Sequence, residues 1–261
     1  MRRTQTLSTG LVIRQDFGDA VRAVFFQTEY EEFSYATGGG TLFLARFRGD
    51  IYGLTCQHVF QEFKKGSLFI TADKIGRKGS LPAPIKGLCF PSSPKDAAIG
   101  TDIVDLCAIE FDDHMAQDFF KDTPYLIDNK TVASGQAGRE LHIVGVLKEM
   151  SQIVPPDISM GFCRLQLSDV GASTFDPILR HASAEFYRPA FTSVTGISGS
   201  PVFDNTANAL CGMVVRGGMT GVKCDVYYVD IFDIVHFLEG IAHRASSTYY
   251  TKHVQQPVLV R

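Results

Sequence analysis

A serine between glycines stands at position 198, within the stretch Gly-Ile-Ser-Gly-Ser-Pro-Val-Phe of residues 196–203. Glycines permit tight turns with positive φ and leave the hydroxyl open to approach. Such a turn can direct backbone N–H groups at one point. There they stabilise the negative charge that forms when a hydroxyl attacks a carbonyl. The stretch fits a β-turn before a strand equally well, so the rest of the chain must decide between the two interpretations.

His58 differs from the other six histidines because it follows the apolar, strand-like residues 51–56. A base at a rigid strand end keeps its geometry, and a displacement of about 1 Å can cost on the order of 10²-fold in rate. Taken alone, His58 fits a half-buried structural histidine better than a base. The others are expected in polar loops, on an outward strand face, on the polar face of a helix or in the tail: His114, His181, His142, His236, His243 and His253.

A carboxylate precedes the apolar residues 106–109, at Asp105. Burying a carboxylate beside a core strand is costly unless a partner such as an imidazole N–H meets it. Asp102 competes for this role. In an extended chain, however, a residue three positions upstream points to the opposite face. Asp105 is therefore the predicted partner of a histidine, with Asp102 as the alternative.

Three segments together resemble the signatures of chymotrypsin-like (trypsin-like) serine proteases. They are Thr-Cys-Gln-His-Val at 55–59, Asp-Leu-Cys-Ala-Ile at 105–109 and Gly-Ile-Ser-Gly-Ser-Pro at 196–201, in the family's order of histidine, aspartate and serine. Residues 38–44, 141–145 and 212–217 resemble further strands of that family, so the likeness covers most of residues 36–244. Three motifs in this order are far more specific than any one of them.

The resemblance implies a catalytic triad in which Ser198 is the nucleophile, His58 its base and Asp105 the group that orients the imidazole. It also implies an oxyanion hole formed by the N–H groups of Gly196 and Ser198. The main chain of residues 215–217 would pair with the substrate as an added strand. Residues expected near the substrate are Thr192, Val215, Arg216, Gly217 and Asp225. Asp225 either lies inside the primary pocket, where it would favour lysine or arginine in the substrate, or faces water at the end of a strand.

Two departures from the family's secreted members bear on regulation. Ile197 stands where many of them carry an aspartate that receives a new N-terminal ammonium, and isoleucine cannot pair with a charge. The cysteine expected next to the histidine is replaced by Val59, while Cys56 lies two residues before it. These departures favour the intracellular, HtrA-like branch without a PDZ domain, and control by a partner, by substrate access or by loop ordering.

The elements that must position these residues are short β-favouring runs separated by Gly, Asp, Asn and Pro, which indicate an all-β protein. Strands are predicted at 21–27, 41–48, 51–56, 68–71, 106–111, 141–147, 161–167, 201–203, 209–215 and 226–229. Apolar periodicity predicts an amphipathic helix over 231–243 and, less clearly, a helix over 113–121. The resemblance implies two packed six-stranded Greek-key β-barrels: 1–122 with His58 and Asp105, and 123–245 with Ser198 and the helix. Residues 246–261 form a tail with no evident anchor.

Composition excludes several classes of function. The chain of 261 residues has a net charge of −3, so nothing indicates nucleic acid or an anionic membrane as a partner. No apolar run is long enough to span a bilayer, and no secretory signal is recognisable, which predicts a cytoplasmic location. The six cysteines are then expected to be reduced thiols, mostly acting as small core residues.

Rival chemistries fit less well. An α/β-hydrolase needs Gly-x-Ser-x-Gly and a histidine after the serine, whereas Ser200 occupies the last position of that motif here. No cysteine or histidine pair has a standard metal-ligand spacing, so neither a metal nor another cofactor is predicted. The sequence predicts a regulated serine endopeptidase acting on a protein or peptide, with an activating partner protein possible. The alternative is a catalytically inactive protease-fold module that binds peptides.

Overall fold

The computed structural model describes residues 17–28, 35–60, 68–71, 83, 85–91, 105–154, 157–187, 189–243 and 250–253. These residues contain two β-sheet bodies and two α-helices. The predicted all-β architecture of two β-sheet bodies with a C-terminal helix is confirmed, with one body a closed barrel and the other a half-barrel. Within the described part of the chain, no helix is long and apolar enough to cross a bilayer.

The first body is a strongly buried sheet. Its strands are β1 (Val21–Gln27), β2 (Tyr35–Phe47), β3 (Asp50–Cys56), β4 (Leu68–Phe69), β5 (Ile85–Phe90), β6 (Leu106–Phe111), β7 (Tyr125–Ile127) and β16 (Tyr250–His253). Their order is β16-β5-β6-β3-β2-β1-β4, with β7 added in parallel to β2. Over the described residues this sheet remains open, so the six-stranded closed barrel predicted for this half is not seen there. The tail, which showed no anchor in the sequence, pairs with β5 through β16.

The second body is a closed six-stranded barrel. It consists of β8 (Glu140–Val146), β11 (Phe162–Ala172), β12 (Leu179–Glu185), β13 (Pro201–Asp204), β14 (Ala209–Thr220) and β15 (Lys223–Asp230), in the order β11-β12-β15-β14-β13-β8. A small hairpin of β9 (Gln152–Val154) and β10 (Asp157–Ser159) lies outside it. The second half therefore closes as the resemblance implied.

Six of the described strands were not predicted from the sequence: the longer β5 and β12, and the short β7, β9, β10 and β16. The reason is clearest for β5 and β12. Lys86 and Gly87 interrupt the apolar pattern of β5, and β12 consists largely of small and polar residues, so neither has the expected alternation. As a result His181, predicted in a loop, instead lies in β12, where its imidazole stacks on Tyr227 at 4.9 Å.

The helices follow their sequence patterns closely. Helix α1 spans Asp113–Phe120 and helix α2 spans Ile231–Ala242. Asp230 caps α2 by accepting a hydrogen bond from the N–H of Phe232 at 3.1 Å, which satisfies a backbone donor that has no partner within the helix. The buried face of α2 belongs to the same apolar cluster as the first sheet. On its exposed side, Glu239 pairs with Arg48 of the β2–β3 turn at 2.7 Å. Helix α2 thus connects the two halves.

Candidate active site

His58 and Asp105 meet at two points. His58 lies in a short 3-10 helix, Gln57–Phe60, directly after β3, and Asp105 immediately precedes β6. Since β3 and β6 are antiparallel neighbours, with Cys56 opposite Leu106, their ends bring the two residues together. The backbone N–H of His58 donates to Asp105 Oδ1 at 2.8 Å, and Nδ1 of its imidazole contacts Oδ2 at 2.6 Å.

This pairing sets the tautomer of the imidazole. An ionised carboxylate can only accept hydrogen bonds, so Nδ1 of His58 is the donor in this contact, and in the neutral imidazole the lone pair is then on Nε2. A lone pair on Nε2 is what a general base needs. The His58 side chain is 37% exposed and that of Asp105 is 20% exposed, so the pair is sheltered on one side and open on the other. Asp102, the alternative carboxylate, lies outside the described residues.

Ser198 lies in a double turn between residues 194 and 200. The N–H of Ile197 donates to the carbonyl of Val194, and the N–H of Ser200 donates to the carbonyl of Ile197. Gly196 and Gly199 have φ of 108° and 90°. A Cβ at Gly196 would lie 2.6 Å from the Val146 carbonyl oxygen. Both the backbone conformation and the space require glycine here, as the sequence suggested.

The turn leaves two backbone donors unused. Among the described residues, no acceptor takes the N–H of Gly196 or that of Ser198. These are the two groups predicted to form an oxyanion hole. The Ser198 hydroxyl itself donates to the carbonyl of Val215 at 3.1 Å. No hydrogen bond joins Ser198 to His58 within the described part of the chain.

Thr41 of β2 joins the serine turn to the first sheet, a role that sequence reasoning missed. Its N–H donates to the carbonyl of Ser198 at 2.8 Å. Its hydroxyl donates to the carbonyl of Gly196 at 2.6 Å and accepts from the N–H of Val146 at 2.8 Å. In the sequence, the Gly-Gly-Gly-Thr run of residues 38–41 indicates only the start of a strand. The cross-barrel contacts of Thr41 had no signal in the sequence.

A second link between the two halves passes beside His58. The thiol of Cys56, two residues before His58, donates to the carbonyl of Val214 at 3.2 Å. The next residue along β14, Val215, accepts the bond from Ser198. The serine turn and the end of β3 that leads into His58 thus contact adjacent residues of β14.

The edge of β14 beyond this point carries most of the predicted substrate contacts. Val215 is buried, whereas Arg216 and Gly217 are exposed. β15 covers one edge of this segment, pairing Arg216 with Tyr227 and Gly217 with Val226. No described strand pairs with residues 215–218 along the edge that faces Ser198. That edge can accept an extended chain.

Ile197 fills the space beneath Gly217. It is 2% exposed, and a Cβ at Gly217 would meet its Cδ1 at 2.7 Å. An apolar side chain packed here offers no charge for a buried ammonium. This packing is consistent with the departure from secreted family members noted in the sequence.

The remaining predicted pocket residues have partners of their own. Thr192 is exposed, and its N–H and hydroxyl both donate to the carboxylate of Glu149. The carboxylate of Asp225 contacts Nε2 of His181 at 2.8 Å and Nζ of Lys223 at 3.1 Å. Asp225 alternates along β15 with residues of the barrel core and therefore lies on the other face of that strand. Its role in selecting a substrate residue stays a prediction.

Glu149 is a second residue that sequence reasoning missed. Besides Thr192, it accepts a hydrogen bond from the N–H of Ser193 at 3.0 Å. The backbone N–H of Thr192 is the main group that holds the pKa of Glu149 below its ordinary value. Glu149 thereby fixes the segment that leads into the serine turn. It follows β8 in a polar segment, where nothing in the sequence marks it.

An open, half-barrel sheet joined to a closed six-stranded barrel is the arrangement of the chymotrypsin-like fold. The sequence matches no protein-family model and no curated protein. Solved structures are nevertheless similar along most of the chain. Human heparin binding protein is 11% identical, with a TM-score of 0.56, over 88% of this chain and 93% of that one. Neuropsin, a serine protease of mouse brain, is 11% identical, with a TM-score of 0.54, over 86% and 95%.

Similar structures include one whose name states that it is inactivated. The scabies mite inactivated protease paralogue S-I1 is 12% identical, with a TM-score of 0.53, over 87% of this chain and 96% of that one. At such low identity these similarities establish the fold only. Whether the protein is active must be argued from its own site residues.

Proposed function

We propose that this protein is a serine endopeptidase that hydrolyses peptide bonds through an acyl-enzyme. The observation that carries the proposal is the two-point contact between Asp105 and His58, which occupies Nδ1 of the imidazole and leaves Nε2 as the nitrogen that can act as a base. In this proposal the Ser198 hydroxyl turns from the Val215 carbonyl to Nε2, transfers its proton there and attacks the substrate carbonyl.

The unused N–H groups of Gly196 and Ser198 support the second part of the mechanism. They would stabilise the oxyanion of the tetrahedral intermediate, and each such donor is worth about 10²–10³ in rate. The protonated His58 would then give its proton to the leaving amine. Water would release the acyl group by the same steps in reverse.

Substrate recognition in this proposal rests on main-chain pairing with residues 215–217. A preference for lysine or arginine would require Asp225 to reach the substrate, although its carboxylate is now paired with His181 and Lys223. We further propose a cytoplasmic, partner-regulated processing role close to the HtrA-like branch. The buried Ile197 supports this placement, since it offers no acceptor for a new N-terminus.

A fluorophosphonate probe tests the proposal because it reacts only with an activated serine. Labelling is expected in the wild type and lost in Ser198→Ala and His58→Ala. Ser168→Ala is the matched control, since Ser168 is exposed on β11 of the same barrel and should not affect labelling. Labelling that survives in Ser198→Ala would refute the proposal.

One observation favours the alternative, an inactive module that binds peptides in the same cleft. The Ser198 hydroxyl is bonded to Val215 and not to His58. In that case no probe labelling would occur under any condition, while an extended peptide would still bind along residues 215–217.

A further inference from the structure

A thiol lies beside the His58–Asp105 pair. Cys56 ends β3 and is fully buried. Its Sγ, an imidazole nitrogen of His58 and a carboxylate oxygen of Asp105 all lie within 4.8 Å of one another. The mechanism proposed above uses the imidazole and the carboxylate but leaves the thiol without a role.

Sulfur, nitrogen and oxygen donors in this combination are typical zinc ligands. Zn²⁺ binds thiolate at about 2.3 Å and imidazole or carboxylate at about 2.0–2.2 Å, so ligand atoms of a tetrahedral site lie roughly 3.3–3.7 Å apart. The outer limit of 4.8 Å exceeds this range by about 1 Å, whereas Nδ1 of His58 and Oδ2 of Asp105, 2.6 Å apart, must separate by roughly 0.7–1 Å to admit the metal. The site has no signature in the sequence because Asp105 is distant in the chain from Cys56 and His58.

We infer that Cys56, His58 and Asp105 form a site for Zn²⁺ or a similar divalent metal that competes with the catalytic arrangement. Three protein ligands leave a fourth position open, and the exposed side of His58 gives it access to water. One thiolate and one carboxylate balance the two positive charges of the metal. A neutral assembly limits the cost of placing an ion in this partly buried location.

Metal binding would remove one proton from the site and move a second one within the imidazole ring. The Cys56 thiol loses its proton to solvent and gives up its hydrogen bond to the Val214 carbonyl. The metal takes Nδ1 of His58, the nitrogen now in contact with Asp105, and the ring proton moves to Nε2. A protonated Nε2 cannot accept the proton of Ser198. The metal-bound protein would therefore be unable to activate its serine, a consequence that rests on the proposed function, whereas binding itself does not.

Cobalt(II) provides a readout that needs no hydrolysis. Titration of Ser198→Ala with Co²⁺ should produce a near-ultraviolet thiolate-to-cobalt absorption and the strong visible bands of a tetrahedral site, and Zn²⁺ should displace both. Failure of the proposed function would leave this result unchanged. Absence of the thiolate band in Ser198→Ala would overturn the inference.

Matched variants identify the ligands. In the Ser198→Ala background, Cys56→Ser keeps a hydroxyl that can bond to the Val214 carbonyl. It should abolish the thiolate band and weaken Zn²⁺ binding by at least about 10²-fold, because even residues that only hydrogen-bond to a metal ligand contribute about 10–100-fold to metal affinity. Cys107→Ala is the control, because Cys107 is also buried, 1% exposed, and near Asp105 in sequence but outside the cluster. The thiolate-to-cobalt band should persist in Cys107→Ala. A band retained in Cys56→Ser or lost in Cys107→Ala would refute the assignment.

If circular dichroism shows that Cys56→Ser does not fold, Asp105→Asn provides an independent test. It should retain the thiolate band while weakening Zn²⁺ affinity by at least about tenfold, because one of three protein ligands is lost. Unchanged affinity would exclude Asp105 and overturn the site. In the wild type, Zn²⁺ should suppress fluorophosphonate labelling and a chelator should restore it. In Cys56→Ser, the same Zn²⁺ concentration should have no effect on labelling.

Discussion

Replacing Thr41 with valine tests whether the first sheet holds the serine turn in place. Thr41 is fully buried, and its hydroxyl satisfies both the carbonyl of Gly196 and the N–H of Val146. Valine has nearly the same shape but can satisfy neither group. A buried polar group without a partner costs about 1–3 kcal/mol, so the two together should lower the free energy of unfolding by about 2–6 kcal/mol. That is a large part of a typical stability of 5–15 kcal/mol.

The same substitution should also affect reactivity. The Gly196 carbonyl belongs to the turn whose N–H groups are the predicted oxyanion donors, and misplacement of one such donor costs on the order of 10²-fold. Urea denaturation measures the stability, and the rate of fluorophosphonate labelling measures the reactivity. Thr41→Ser is the control, because it keeps the hydroxyl and should lose only about 1 kcal/mol for the missing methyl. If valine and serine variants have equal stability and equal labelling rates, the hydroxyl does not hold the turn.

Three further predictions concern other contacts of the fold and the site. Gly199→Ala should lower the free energy of unfolding by more than about 3 kcal/mol, because φ is 90° and a Cβ would lie 1.9 Å from the backbone oxygen of Thr41; near-wild-type urea denaturation would contradict this. The Thr192 N–H is the main group that lowers the pKa of Glu149 in the folded protein. The hydrogen bonds from residues 192 and 193 to this carboxylate should therefore be complete above the unfolded pKa of about 4.3, and they should be lost as the pH falls through the lower pKa of the folded protein. Proteolytic nicking near Thr192 should increase over that acid range in the wild type and be high at every pH in Glu149→Ala. Tyr228→Phe should cost about 1–2 kcal/mol by thermal unfolding, because its buried hydroxyl donates to Asp169 at 2.8 Å; no loss would show that this bond is not stabilising.

The sequence predicted the parts of the site that local patterns determine. An apolar run ending in His58 and another beginning after Asp105 indicated two strands, and antiparallel pairing of these strands brings the two side chains together. Glycines at 196 and 199 indicated a turn with positive φ, which the structure has. These features were accessible because each depends on residues close together in the chain.

Contacts between the halves could not be predicted in this way. The Thr41 hydroxyl reaches Gly196 across 155 residues and Val146 across 105, and threonine on a strand is unremarkable in sequence. Glu149 and the strand β16 are similar cases, since most partners of Glu149 and all pairing partners of β16 are backbone groups, which any sequence provides. For Asp225 the chain position suggested a place in the substrate pocket. Side chains alternate between the two faces of β15, however, and the Asp225 carboxylate contacts His181.

The bond from Ser198 to Val215 is a weak argument against activity. The Val215 carbonyl lies on the β14 edge that no described strand covers, so an extended peptide bound there would offer it a backbone N–H in place of the hydroxyl. The exchange replaces one hydrogen bond with another, and a typical one contributes only about 0.5–1.5 kcal/mol net. A substrate could therefore release the Ser198 hydroxyl toward His58 at little energetic cost. Stronger evidence for a working site comes from the paired His58 and Asp105 and from the two unused N–H groups. These features do not depend on which acceptor the Ser198 hydroxyl uses.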